Sequence, residues 1–352
     1  MDPVYLLTAL LLLAFGLLGV GVAEPELLQG HLLRVGMALL AMAAGSLLPV
    51  RSLLRFALGL HLLTLLLLGL VLVLGDGPGE VRRWFYLGPV AFQPSELAKL
   101  TLVLYLASFV GRKGSDYPIL GPALLVGGTV GLVLIEPDFA TALFLLTLGA
   151  LLFILAGVPW RRLIAIALAG LLVITPFSGF YLSRFAYVSE RFSGFLSYVR
   201  GEASPKEAAY QVVQAQKAIL LGGALGQGPG GSLPHLPEAH NDMVFASVVF
   251  ATGWLGGLMV LFLYLLLFLR GFALSLRLQG PESLVAMSLT LYLTLQAALN
   301  IGVTVGFLPV TGVPLPLISY GGSSLLVSGL ALGLLMGLSR EASLKEVRRW
   351  SS

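Results

Sequence analysis

The chain has 352 residues, of which 57% are hydrophobic and only 11% charged, where an ordinary soluble domain carries about 25% charged residues. That balance excludes a soluble globular protein, and the formal net charge of +4 is explained by basic loops beside a membrane rather than by nucleic acid. No cysteine is present, so neither disulfides nor thiolate metal sites enter.

Apolar runs of roughly twenty residues, the length at which a helix crosses the hydrocarbon core, recur along the chain. They predict ten spans: 3–22, 31–50, 53–74, 95–111, 118–135, 138–157, 161–180, 243–270, 283–308 and 322–339. The reading is an all-α polytopic membrane protein, one integral membrane domain over 1–352. A large loop, 181–242, separates the seventh and eighth spans. The first run, Val4 to Val22, lacks a basic n-region and a small-residue cleavage site and is read as a retained span. The fourth is short and carries Lys99. The stretch 118–157 is interrupted only at Glu136-Pro137-Asp138, and at ~1.5 Å per residue its length requires two crossings.

One set of loops and the C-terminal tail hold Arg51, Arg55, Arg112, Lys113, Arg161, Arg162, Arg270, Arg277, Arg340, Lys345, Arg348 and Arg349. Short basic segments flanking spans mark the cytoplasmic side, which places both termini in the cytoplasm. Four unusual stretches then share the outer face: GEVRRWFYLGPVAFQPSELAK (79–99), EPDFATA (136–142), the loop ending in LPEAHND, and LPVTGVPLPLISYGGSS (308–324).

Each stretch has a plain and a chemical reading. Arg82-Arg83-Trp84 suits an interfacial anchor or a grip on an anionic headgroup, in which guanidinium forks hold phosphate oxygens. Glu96 and Lys99 lie at i and i+3 of a helix that Pro94 opens, with Ser95 close to the cap. Charges inside a span pair with one another or face a cavity. Asp138 reads as an N-cap, and Glu136 is open. Residues 181–217 alternate charged and aromatic residues as interfacial amphipathic helices do. They include Arg184, Arg191, Glu202 and Lys206. The run GGALGQGPGGSL (222–233) is no P-loop, since GxxxxGK[ST] is absent. It reads as a lid or a tight packing turn.

In LPEAHND, His235 and His240 have no third partner at zinc-site spacing. Asp242 starts a long apolar helix, as a cap or as a carboxylate able to take a proton or ligate a divalent cation. Glu238 and His240 beside it are candidate substrate contacts. Three prolines and three glycines in 308–324 put irregular backbone at membrane depth, which is tolerated only when buried in protein or lining a cavity. Tyr320, inside that run, is assigned no role.

Taken together, RRW with FQPSELAKL, EPDF-ATA, YQ-VVQ-QKAI with the glycine-rich run, LPEAHND and LPVTGVPLPLISYGGSS resemble the SEDS family of cell-wall proteins, typified by FtsW, RodA and SpoVE. The resemblance implies a peptidoglycan glycosyltransferase that polymerises lipid II at the outer face of a bacterial cytoplasmic membrane. It also implies a divalent cation (Mg or Mn) and a class B penicillin-binding protein as partner. The family's essential acid falls on Asp242, the expected cation contact as well. Its outer-cavity Trp, Glu and Lys fall on Trp84, Glu96 and Lys99. The chain departs from the pattern with His-Asn-Asp-Met at 240–243, with Ala140 in place of Gly, and with Phe250-Ala251-Thr252-Gly253 where a Glu-Glu pair is common.

On this reading Asp242 is general base to an incoming sugar 4-hydroxyl. Arg82, Arg83, Lys99, Arg191 or the cation neutralise the departing pyrophosphate, and the lipid tail stays between spans, so the site must open sideways to the bilayer and its membrane lipids. A lipid II flippase is the alternative and a scaffold for a partner enzyme the third reading. A flippase must meet the pyrophosphate on both faces, and the inner loops hold no comparable acid or proline–glycine constellation.

Overall fold

The structure is a computed structural model that describes residues 2–77, 81–88, 90–114, 116–174, 186–201 and 207–350. Each of the ten predicted segments carries a helix. They are α1 Pro3–Ala23, α2 Leu28–Leu47, α3 Val50–Leu74, α4 Pro94–Lys113, α5 Leu120–Ile135, α6 Phe139–Leu155, α7 Trp160–Ile174, α10 Val244–Arg277, α11 Pro281–Thr304 and α12 Gly322–Trp350. The long loop adds α8 Ala186–Val199 and α9 Glu207–Gly222. Among the described residues six helices are long and apolar enough to cross a membrane, with α5 and α6 as shorter apolar helices. The fold is therefore a polytopic helical membrane protein. Residues 175–180 of the seventh span, together with Glu80, Arg184, Glu202 and Lys206, lie outside the described residues.

The all-α reading needs one correction. Phe85–Leu87 and Val90–Phe92 pair as a two-stranded antiparallel hairpin, in a stretch too short and aromatic to propagate a helix. Ser95 lies close to the cap of α4, as its place after Pro94 implies. Gln93 holds the cap position without a side-chain bond, and Pro94 opens the helix, where its missing N–H costs nothing. Asp138 does cap α6, accepting from the Thr141 amide at 3.0 Å.

The chain divides into two compact units, one of residues 1–45, 187–270 and 293–333, the other of 46–186, 271–292 and 334–352. In the first, Asp2 caps α1 through Val4 N–H and takes a two-pronged bond from Arg270 at 2.9 and 2.8 Å. Glycine lets α1 approach its neighbours, since a Cβ at Gly16 would meet the Ile318 carbonyl at 2.7 Å. In the second, His61 of α3 is sealed between Thr101 of α4 (3.2 Å) and Thr129 of α5 (3.1 Å) and stacks on Tyr105. Most of α4 is buried. A helix carrying Glu and Lys is thus surrounded by protein, and leucines such as Leu66 and Leu124 stay exposed on its apolar neighbours α3 and α5.

The glycine-rich run is a packing turn. Gln227 and Gly228 donate to the carbonyls of Phe250 and Ala251 at 2.9 and 3.0 Å, and Trp254 N–H returns a bond to Gly223. To receive it, α10 breaks its helix at Gly253 (φ 73, ψ −176). That conformation is essentially reserved for glycine. A Cβ there would lie 2.2 Å from the Ala224 carbonyl. Gly253→Ala is therefore expected to cost about 1–3 kcal/mol from backbone strain, with the clash adding to it. Thermal unfolding in detergent measures this, and an unchanged midpoint would contradict the fit.

Candidate active site

In the first unit LPEAHND forms a tight turn before α10. Glu238 adopts φ 54, and its carbonyl accepts from Asn241 and Met243 N–H, both at 3.0 Å. The next four carbonyls are each held by a different group. Ser247 Oγ donates to Ala239 (2.7 Å), Tyr320 N–H to His240 (3.0 Å), Ser319 Oγ to Asn241 (2.7 Å) and Asn300 Nδ2 to Asp242 (2.8 Å). Strained backbone persists only where the surroundings over-determine it, and here they do.

The loop 308–321 that supplies two of these donors is itself fastened. Gln296 and Asn300, one turn apart on α11, donate to Pro314 (2.9 Å) and Val313 (2.8 Å). Tyr264 Oη donates to Pro316, and Arg191 Nη1 donates to Val310 at 3.4 Å. Val313, Leu315, Leu317 and Ile318 are buried, and Leu317 sits at φ 63. Irregular backbone enclosed in protein with its carbonyls engaged meets the condition for membrane depth.

Gly312, at φ 77, is where two of the predicted residues, Asp242 and Arg191, converge. A Cβ on it would lie 3.4 Å from Asp242 Oδ2 and 3.7 Å from Arg191 Nη1. A carboxylate and a guanidinium thus flank one position that has no side chain. Glu238 is exposed on the same turn. His240 turns away, with Nδ1 2.8 Å from Glu24 Oε1 and its ring edge-on to Tyr320.

The second unit holds the other predicted residues. Lys99 Nζ lies 2.6 Å from Glu96 Oε1, the side chains 1% and 3% exposed, and the ammonium faces the rings of Phe144 and Tyr292 at 5.4 and 5.8 Å. Among the described residues Glu96 Oε2, Ser95 Oγ and both carboxyl oxygens of Glu136 are buried without a hydrogen-bond partner. Burial pushes the Glu136 carboxyl up to about 9, with Asp138 adding to the shift and Arg83 opposing it. Arg83 Nε donates to the Glu136 carbonyl at 2.6 Å and its Nη2 to Pro137. Arg82 donates to Val73 at 2.7 Å, at the end of α3, and the Trp84 backbone pairs with Asp76. The two arginines thus satisfy carbonyls at helix ends.

Sequence reasoning missed Gln296, Asn300, Ser247 and Ser319. A signal existed for the first two, since amides four residues apart inside an apolar span are expensive unless they serve something. The described residues contain no group of three or more His, Cys, Asp or Glu placed to hold a metal.

Charged pairs enclosed among helices of this length mark a polytopic membrane protein with polar chemistry inside its fold. More narrowly, the chain belongs to the family of FtsW, RodA and SpoVE, whose model, described as "Cell cycle protein", matches residues 11–344. The probable peptidoglycan glycosyltransferase FtsW of Coxiella burnetii is 36% identical over 329 residues, covering 88% of this chain and 86% of that one. The peptidoglycan glycosyltransferase MrdB of Escherichia coli K12 is 33% identical over 355 residues, covering 96% and 93%. Among solved structures, a chain from work on coordinated polymerization and crosslinking by a peptidoglycan synthase complex matches with a TM-score of 0.80 at 33% identity, covering 97% and 98%. The rod shape determining protein RodA of Thermus thermophilus matches with a TM-score of 0.69 at 31% identity, covering 96% of each chain.

Proposed function

We infer that this chain is a peptidoglycan glycosyltransferase that polymerises lipid II at the outer face of a bacterial cytoplasmic membrane. Relatives named as peptidoglycan glycosyltransferases, matching 88% and 96% of the chain, support the reading. The observation that carries it is Asp242, fixed by four clamped carbonyls and facing Arg191 across Gly312.

Asp242 takes the proton of the acceptor sugar's 4-hydroxyl as that oxygen bonds to the donor's anomeric carbon. The bond from that carbon to the pyrophosphate oxygen breaks, and its electron pair leaves with the pyrophosphate. Arg191 stands where a planar fork of donors meets that charge. The donor set suits a divalent cation of the Mg type, which takes one or two carboxylates and completes its shell with phosphate oxygens and water. Asp242 would hold it, and it would supply neutralising charge. Arg82, Arg83, Trp84, Glu96, Lys99, Glu238 and His240 remain proposed substrate contacts.

With both termini cytoplasmic the site faces outward, and a class B penicillin-binding protein is the proposed partner, in keeping with the synthase-complex match. Reconstituted vesicles of known orientation test the reading. A membrane-impermeant chelator outside is expected to stop glycan synthesis from lipid II, and the same chelator trapped inside to leave it running. Inhibition only from the cytoplasmic side would overturn the orientation and favour the flippase.

A further inference from the structure

A second polar cluster lies beyond the Asp242 turn, built on α2 and the start of α12. His31 and Arg34 are three residues apart and so share one face of α2. Both rest on Tyr320. The Arg34 guanidinium carbon stands 3.8 Å above the ring centroid, and the His31 ring centroid lies 5.8 Å away. Tyr320 leads directly into the first turn of α12, Gly322-Ser323-Ser324. A Cβ on Gly322 would fall 3.3 Å from Arg34 Nε. The guanidinium therefore sits at the positive end of a long helix, where backbone N–H groups lack intrahelical acceptors.

Polar groups here lack partners among the described residues: His31 and Ser324 are buried, and Arg34 is half-buried. Arg34 stacks on Tyr320, yet no hydrogen bond or ion pair to a described residue engages its guanidinium. His31 is fully buried with neither ring nitrogen partnered, and Ser324 Oγ, buried in the first turn of α12, is unpartnered as well. Buried polar atoms are nearly always hydrogen-bonded, so such a set at a helix N-terminus calls for an acceptor that carries negative charge. Glu24 Oε1 lies 2.8 Å from His240 Nδ1. Glycine at position 30 lets Tyr320 Oη and the Arg34 guanidinium lie against α2, since a Cβ there would lie 2.9 Å from Tyr320 Oη and 3.0 Å from Arg34 Nη1. Leu32 and Leu33 on the same helix are exposed apolar side chains, a surface for hydrocarbon beside the charge.

We propose that Arg34, His31, Tyr320 and the first turn of α12 form a phosphate-binding site for a lipid-linked phosphate, apart from the Asp242–Arg191 pair. That the lipid is a polyprenyl phosphate or pyrophosphate rests on the glycosyltransferase reading. The anion site does not. The Tyr320 amide also holds the His240 carbonyl, so occupancy would stiffen the turn that carries Asp242.

The test is direct binding to the purified full-length protein in detergent, with undecaprenyl phosphate, inorganic pyrophosphate and phosphatidylglycerol as separate probes. Wild type and Asp242→Asn are expected to bind undecaprenyl phosphate alike. Arg34→Gln should weaken binding by about tenfold or more, the loss of one charge-assisted hydrogen bond. Gly30→Ala should do the same by pushing Tyr320 Oη and Arg34 Nη1 out of place, in a helical position where alanine is favoured. Unfolding midpoints of all variants are read in parallel. Equal affinity of wild type, Arg34→Gln and Gly30→Ala for every probe would overturn the site. Arg34-dependent binding of phosphatidylglycerol with none of undecaprenyl phosphate would overturn the polyprenyl assignment. Polymerisation is not read, so failure here is distinct from failure of the proposed activity.

Discussion

Asp242→Ala is expected to abolish glycan synthesis in a protein that still folds and inserts. The turn around Asp242 is held through backbone carbonyls, by Ser247, Tyr320, Ser319 and Asn300, and none of these bonds uses the carboxylate. If the side chain also serves as a cap, its loss costs ~0.5–2 kcal/mol, within the range that a stable fold absorbs. Loss of a general base lowers the rate by roughly 10²–10⁴-fold. Asp242→Asn, close in shape but unable to take the proton, should be as inactive as the alanine variant. Chain formation from lipid II is the readout, with the unfolding midpoint measured alongside. A folded alanine variant that polymerises at the wild-type rate would remove Asp242 from the base role.

The helices were legible in the sequence because hydropathy and length alone decide where a helix can cross lipid. The irregular stretch 308–321 was legible too, since its prolines and glycines at membrane depth leave only a buried, fastened backbone. What pairs with what was less legible. Arg82 and Arg83 read equally as anchor or anion grip, and the choice of carbonyls at Val73 and Glu136 depends on helix ends far apart in sequence. His240 finds Glu24, more than two hundred residues away.

The same limit applies to the departure at Phe250–Gly253. As sequence it is a loss of acids, and as structure it is the place where two backbone segments touch. Gly226 and Gly253 face each other so closely that a Cβ on either would lie 2.6 Å from the other's amide nitrogen. The strand pairing at 85–92 has a similar origin, because three-residue strands are set by a local turn rather than by any periodicity.

The buried Glu96–Lys99 pair carries the other large expected effect, one on stability. Lys99→Ala strands a carboxylate that is 3% exposed and already has one oxygen without a partner. Removing one member of a buried pair costs ~3–5 kcal/mol, so this variant is expected to unfold at a much lower temperature and to lose activity. Glu96→Gln should be milder. The lysine keeps a polar neighbour, and the rings of Phe144 and Tyr292 near its ammonium offer cation–π attraction of about 0.5–2 kcal/mol. The double variant Glu96→Gln/Lys99→Ala strands no charge, and its stability should lie above that of Lys99→Ala alone. A double-mutant cycle on unfolding free energy in detergent therefore yields a coupling of about 0.5–3 kcal/mol. Losses that add strictly would show that the two charges act apart, and the pair would have to be reassigned as two independent contacts.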